Sequence, residues 1–521
     1  ASFFFLLGLW VYILATRCTS IPAMNFRLGV TFVLTFISLL AKEQGITLLG
    51  VCVVYDATVA STWTPARVLA WFMSPSWKQM RLSLKHRPTY MAAVRVTSML
   101  VFSVVLLVWR LFKNCGAGPK WDNEQSPLLY EPSRVTRTLT FLYYAAYHMQ
   151  LLLFPQPLCY TYSNLTIPFL RSMSDLRNVT TLLACTAVAL AIFVCLKPPG
   201  RWRNMVLFTF GGLSVTFVPA SNLIFPVGFV IAERTLYLPS MFFALLVGFC
   251  IVGLHRRYRA MHLPIFLVVM LLTVVAGVRT FERCEQWNSA EMLYKSAAET
   301  YPNNPANHYN YGITLDTANK KDEAKAAFKK ALEVDPKYHR AYSKLGSMVG
   351  HAEPGQSSTE EELDEAEQLL KTSVGLQPDK SNLCNLGAVQ LQKGDFASAE
   401  SSLRAGVRDG DAECLSMLAI AVDQQGKHRS REAEALFKQS VLFNPSHEGA
   451  LINYAGFLSR HNKFTLAIET YKKAIAVNPA NEIAKRQLAS LMRGDTGHPP
   501  PGAGAKGAKA MFVVHDSKQK R

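Results

Sequence analysis

Apolar positions gather into long runs over the first half of the chain, at about 2–15, 28–55, 92–112, 138–154, 179–196, 204–218, 236–254 and 263–278. A membrane-crossing helix needs about 20 mainly apolar residues. Several of these runs therefore predict spans, and others reach that length only barely. The second run is interrupted in LLAKEQGITLLGVCVVYD (39–56), where Lys42, Glu43, Gln44 and Gly45 sit among apolar residues. It predicts one tilted span or two short spans meeting at the break. A charge at the bilayer centre costs about 2.5–3.5 kcal/mol on insertion scales, so such residues are functional candidates.

After residue 279 the pattern changes to a helical repeat. Ala324, Phe328, Ala331 and Pro336 set a spacing of small, aromatic, small and proline. The spacing recurs at Ala290/Tyr294/Ala297/Pro302, Ala366/Leu370/Ser373/Pro378, Ala433/Phe437/Ser440/Pro445 and Ala467/Tyr471/Ala474/Pro479. Pro302 and Pro336 are 34 residues apart, as are Pro445 and Pro479. That period belongs to tetratricopeptide repeats, in which each unit is a pair of helices. Small residues let the paired helices approach, the aromatic fills the gap, and proline stops the second helix. Five units are expected at about 303–336, 337–378, 379–411, 412–445 and 446–479. A lone second helix at 287–302 precedes them and a capping helix near 480–493 follows. HAEPGQSSTEEEL lengthens the second unit as a polar loop. Solenoids of this kind hold extended segments of other proteins in a concave groove. Asn307, Asn310, Asn382, Asn385 and Asn453, on first helices, are candidates for that groove, with ordinary interhelix packing the competing role.

The fold class is thus all-α: a multi-span membrane domain (1–279), a repeat solenoid (280–494) and a disordered basic tail (495–521). Charge refines this picture. Lys/Arg against Asp/Glu number 24 to 7 over 1–279, 26 to 28 over 280–494 and 5 to 2 in the tail. The net +18 is thus +17, −2 and +3, so the basic excess lies between apolar runs, as the positive-inside rule requires, and does not indicate nucleic acid. HRRYR (255–259) and KPPGRWR (197–203) read as cytosolic loops, which puts 155–178, 219–235 and everything after 279 on the opposite side. The basic loop 57–92 also reads as cytosolic. By parity, 138–154 then lies at the lumenal interface rather than crossing; the alternative makes it a span. NLT at 164–166 and NVT at 178–180 are glycosylation sequons that weakly favour a lumenal position for that segment. The ten cysteines show no metal-ligand spacing, and no metal site is expected. Those in apolar runs read as core residues, and a disulfide among Cys115, Cys159 and Cys284 is open. The chain begins inside an apolar run without Met, which reads as an incomplete span with sequence missing upstream.

Membrane spans joined to these repeats, with AKEQGIT (41–47), RTLTFLYYAAYHMQLLLFPQPLCYTYS (137–163), IPFLRSMSDLRN (167–178) and GFVIAERTLYLPS (228–240), resemble one family. It is the transmembrane and tetratricopeptide-repeat-containing protein O-mannosyltransferases of the endoplasmic reticulum, which are similar to GT-C glycosyltransferases. The resemblance implies transfer of mannose from dolichyl phosphate mannose to Ser or Thr of lumenal acceptors such as cadherin ectodomains. It implies no further cofactor, a multi-pass membrane protein of the endoplasmic reticulum, and repeats in the lumen. Lys42 and Arg234 become candidates for the donor phosphate, with Glu43 and Glu233 holding a neighbouring base or the acceptor hydroxyl. Arg137 and His148 are weaker candidates. In the family, the acid that deprotonates the acceptor follows the first span, so the general base is expected upstream and no residue here is assigned to it. A membrane-anchored repeat adaptor without catalysis is the competing function.

Overall fold

The structure is a computed structural model that describes residues 1–60, 87–113, 126–160, 162, 166–195, 200–221, 227, 230–350, 358–407 and 411–493. The basic loop at 61–86, Cys115, Asn164 and the tail from 495 lie outside them. All regular structure among the described residues is helical. The chain divides into two units, 1–303 and 304–521.

In the first unit, α1 (Ser2–Thr16) and α2 (Ile21–Ala41) pack as a hairpin. Ser20 caps α2 by accepting from the Ala23 N–H, and the Arg27 guanidinium donates to the Leu14 carbonyl at 2.6 Å. The break at Lys42 is a reversal. Lys42 takes an extended backbone, a short 3₁₀ turn covers Glu43–Ile46, and α3 (Thr47–Tyr55) runs back. The return is fixed by Asp56, which meets Tyr12 and Arg95 near Met24 at the far end of the hairpin. The structure differs from both readings of this run, one tilted span or two short ones: a full-length helix is followed by a short returning one. Gly45 makes the reversal fit, since a Cβ there would lie 2.4 Å from the Ser38 backbone.

Then come α4 (Arg87–Lys113), α5 (Arg134–Leu153), α6 (Asn178–Cys195), α7 (Arg201–Phe217), α8 (Tyr237–Arg257) and α9 (His262–Gln286). Among the described residues, four helices are long and apolar enough to cross a membrane: Ile21–Ala41, Tyr90–Lys113, Tyr237–Arg257 and His262–Gln286. Small residues set the close contacts. Gly50 faces Val215 and Gly211 faces Val54, so α3 and α7 approach through their glycines.

A second, aromatic core contains Tyr143, Tyr144 and Tyr147 of α5, Tyr162, Leu170, Phe217, Ile231 and Leu236. It also takes in Ala297 of α10 (Ala290–Thr300), with Tyr301 packed against it. Tyr294 stacks edge-on against Tyr160 at 4.8 Å, and Tyr301 meets Tyr162 at 5.7 Å. This packing explains why the division falls after Asn303 and not at 279/280, where hydropathy alone changes. The lone second helix of the repeat pattern belongs, by its contacts, to the first unit.

The second unit is a row of helix pairs: α11 (Pro305–Thr317) with α12 (Lys321–Val334), α13 (His339–Gly350) with α14 (Glu360–Leu376), and α15 (Lys380–Lys393) with α16 (Phe396–Gly406). They continue as α17 (Ala412–Gln424) with α18 (Ser430–Phe443) and α19 (Glu448–Arg460) with α20 (Phe464–Val477), and α21 (Glu482–Met492) ends the row. The alanines and aromatics of the repeat pattern are its interior: Ala324, Phe328, Ala331, Ala433, Phe437, Ala467 and Tyr471 are all essentially inaccessible. Within the polar insertion, Thr359 and Glu362 form a capping box, so Glu360–Leu363 are helical and the loop stops at Thr359. Cys384 and Cys414 form a disulfide between α15 and α17. The sequence left a pair among Cys115, Cys159 and Cys284 open; Cys115 lies outside the described residues, and Cys284 is a free thiol.

Candidate functional site

The reversal after α2 and the turn before α8 come together at one end of the first unit. Lys42 Nζ donates to the Arg234 carbonyl at 3.1 Å, and Gln44 Nε2 donates to the Thr235 carbonyl at 3.2 Å. Between them lies a cavity of about 280 Å³ lined by Ala1, Ser2, Lys42, Gln44, Arg234, Tyr237 and Leu238. Partial burial and the neighbouring Arg234 guanidinium both push the Lys42 ammonium below its usual pKa. Two cations thus share one opening, a costly arrangement that an anion would relieve.

The acids beside them in sequence are drawn off to other partners. Glu43 pairs with Arg110 of α4. Glu233 accepts from the Tyr162 hydroxyl at 3.0 Å, from the Cys159 N–H, and from Arg283 of α9 at 3.3 Å. Burial raises the Glu233 carboxyl, and Arg283 with these hydrogen bonds pulls it back. Each glutamate therefore does hold a base, though not the neighbour that the sequence paired it with. Among the described residues, no carboxylate forms an ion pair with Lys42 or Arg234.

The other candidates lie elsewhere. Arg137 and His148 are on α5, and neither lines the cavity. His148 is 1% exposed and its Nδ1–H donates to the Tyr144 carbonyl at 2.7 Å. Burial brings its imidazole down to about 4, which favours the neutral form. Several of the repeat asparagines bond within the solenoid. Asn307 and Asn382 are buried, and Asn382 Nδ2 donates to the Gln377 carbonyl at 2.9 Å. Asn385 bonds Ser343 and Asn453 bonds Ser416, each linking first helices of successive repeats. Asn310 is half-buried. The sequon residue Asn178 opens α6, with Nδ2 donating to the Ser172 and Met173 carbonyls. Among the described residues, no group of three His, Cys, Asp or Glu is placed to hold a metal.

Sequence reading missed Gln44, Arg110, Tyr162, Tyr237 and Arg283. Arg110 and Arg283 had a signal, being charges at the ends of apolar runs, but nothing in the sequence pairs either with an acid far along the chain.

Two family models match: "Protein O-mannosyl-transferase TMTC, DUF1736" over residues 116–189 and "Tetratricopeptide repeat" over 285–347. Protein O-mannosyl-transferase TMTC1 of Mus musculus is 30% identical over 408 residues, covering 64% of this chain and 42% of its own. The chain is similar to these O-mannosyl-transferases. Protein O-mannosyl-transferase TMTC3 of Homo sapiens is 27% identical over 500 residues, covering 86% of this chain and 53% of its own. The chain spans about half the length of the curated relatives it matches. One solved structure, the tetratricopeptide protein YrrB, is 21% identical and covers 38% of this chain and 100% of its own, at a TM-score of 0.29, too low to bear on the fold. The first family match contains the aromatic helix α5 together with Cys159 and Tyr162, the partners of Glu233.

Proposed function

We propose that this chain takes part in O-mannosyl transfer from dolichyl phosphate mannose to Ser or Thr of a protein acceptor in the endoplasmic reticulum lumen. Lys42 and Arg234 hold the donor phosphate and the repeats hold the acceptor. The observation that carries the reading is the pair of cations at one cavity, with Glu43 and Glu233 engaged elsewhere. As the sugar leaves, negative charge grows on the phosphate. Fixed cations in a partly dry site stabilise that charge more than water would. Tyr237 and Leu238 begin an apolar helix beside the cavity, which suits a donor whose phosphate sits at a membrane edge with its tail in lipid.

Orientation supports the same reading. Residues 42–44, 110, 233–235 and 283 gather at one end of the first unit through the contacts above. Following the helices from there places Arg17, Arg201, Arg203, Arg256 and Arg257 at the opposite end, the side that a positive-inside bias makes cytosolic. Residues after Gln286 emerge at the cavity end. The Cys384–Cys414 disulfide is of a kind that persists in oxidising compartments such as this lumen. Acceptors of the cadherin type remain the expectation from family resemblance.

Mannosyl transfer in microsomes carrying Lys42→Ala or Arg234→Ala tests the reading. Each change should lower transfer about tenfold or more, the scale of one lost charge-assisted hydrogen bond. Wild-type transfer by both variants would remove the cavity from the mechanism. Unchanged biological activity in both, alongside its loss on changing repeat residues, would favour the adaptor.

A further inference from the structure

The turn that carries Arg234 is gripped from two sides. On one side its carbonyls at 234 and 235 receive Lys42 and Gln44. On the other, the Glu233 side chain receives the Cys159 N–H, the Tyr162 hydroxyl and Arg283. Glu233 and Arg283 are largely enclosed, with side chains 21% and 16% exposed. Arg283 lies in the last turn of α9, beyond its apolar stretch. There it also bonds Gln286 at 2.6 Å and stacks over Trp287, 5.8 Å from the ring centroid. Trp287 ends α9, and α10 follows at once, docked by Tyr294 and Tyr301 on the same segment that supplies Cys159 and Tyr162. Nothing in the donor reading uses Glu233 or Arg283, yet the geometry spends a largely enclosed carboxylate and three donors on this one turn.

We propose that Glu233 and Arg283 form a positioning clasp that ties the α9–α10 elbow, the last element before the repeat array, to the turn presenting Arg234 to the cavity. The role of Arg234 itself rests on the donor reading above; the mechanical link does not. With the clasp closed, the turn is held on both flanks and the Arg234 guanidinium is pre-set for an anion. With it open, the turn is held only by two side-chain bonds to its carbonyls. Through the closed clasp, movement of the elbow reaches the turn, so whatever shifts α10 is felt at the cations.

Two readouts on the full chain in lipid nanodiscs test this. Hydrogen–deuterium exchange reports the amides of 232–240, among them Thr235, Leu236 and Ser240, which bond within the turn. Arg283→Gln should speed exchange there, and at 42–46, by about threefold or more, the coupling expected within one bonded network. Arg283→Lys should restore most of the protection, and Tyr162→Phe, a milder change, should give a partial effect. Dolichyl phosphate binding, measured in parallel, should weaken by about tenfold in Arg283→Gln and recover in Arg283→Lys, with the melting temperature held. Wild-type exchange at 232–240 and 42–46 in both Arg283→Gln and Tyr162→Phe overturns the clasp. Wild-type dolichyl phosphate binding by Lys42→Ala and Arg234→Ala instead overturns the donor reading, and the exchange result still decides the link.

Discussion

Asp56 and Arg95 show how a single pair organises the membrane unit. Both are almost fully buried, and Asp56 accepts from Arg95 Nε at 2.8 Å and from its terminal nitrogen at 2.7 Å, with Tyr12 as a further donor. The three residues come from α1, the turn after α3, and α4. Removing one partner leaves a charge stranded among apolar side chains, which costs about 3–5 kcal/mol, whereas replacing both with apolar residues is often neutral. Asp56→Leu and Arg95→Met should each lower the melting temperature of the detergent-solubilised chain, and the double variant should recover most of the loss. Equal, additive losses would show that the pair does not act as a unit. At this scale the sequence exposed the site in part. Lys42 and Arg234 stood out because charges beside apolar runs need a reason. Their meeting did not, because a sequence separation of 192 between Lys42 and Arg234 carries no local signal of contact. Asp56 and Arg95 lay at the margins of apolar runs, just outside the loop 57–92, and were not singled out.

Elements were more legible, since periodicity is local. The spacing of alanine, aromatic and proline placed the repeat helices because each unit must solve the same packing problem. Gly312 illustrates that problem: a Cβ there would lie 2.7 Å from the Phe328 ring of the paired helix. Gly375 sits in a helix with open space around it. The same substitution should therefore have opposite signs at the two positions. Gly312→Ala should destabilise by about 1–3 kcal/mol through overpacking, and Gly375→Ala should stabilise by up to about 1 kcal/mol through helix propensity. Thermal unfolding followed by circular dichroism checks both. Loss of stability at both positions would mean that backbone propensity is not the controlling quantity at Gly375. The asparagines belong to the same scale: a polar residue on a first helix can also face the preceding repeat, as Asn385 and Asn453 do. Which of the two neighbours it bonds is decided by packing.

For the whole molecule, the boundary and the compartment matter most. The hydropathy change at 279/280 marks where the chain leaves lipid-like composition. The fold instead assigns α10 to the membrane unit, through aromatic contacts that hydropathy does not see. The Cys384–Cys414 bridge closes a loop with a sequence separation of 30 between its ends. A loop of this size contributes about 3–4 kcal/mol in the chain-entropy account. Cys384→Ser should lower the melting temperature of the repeats, and alkylation of intact microsomes should label Cys384 and Cys414 only after reduction. Labelling without reductant would place the repeats in a reducing compartment, where the lumenal reading fails.

The sequence by itself determined the all-helical class, the repeat period, the apolar helices and the family resemblance, because each is written in spacings of a few residues or in short motifs. Tertiary structure decided the rest. It turned the Lys42 break into a reversal, brought Arg234 to it, sent Glu43 to Arg110 and Glu233 to Arg283, and paired the two cysteines. Such pairings depend on how distant segments close on one another, and side-chain charge and burial take their final values only once that closure has excluded water.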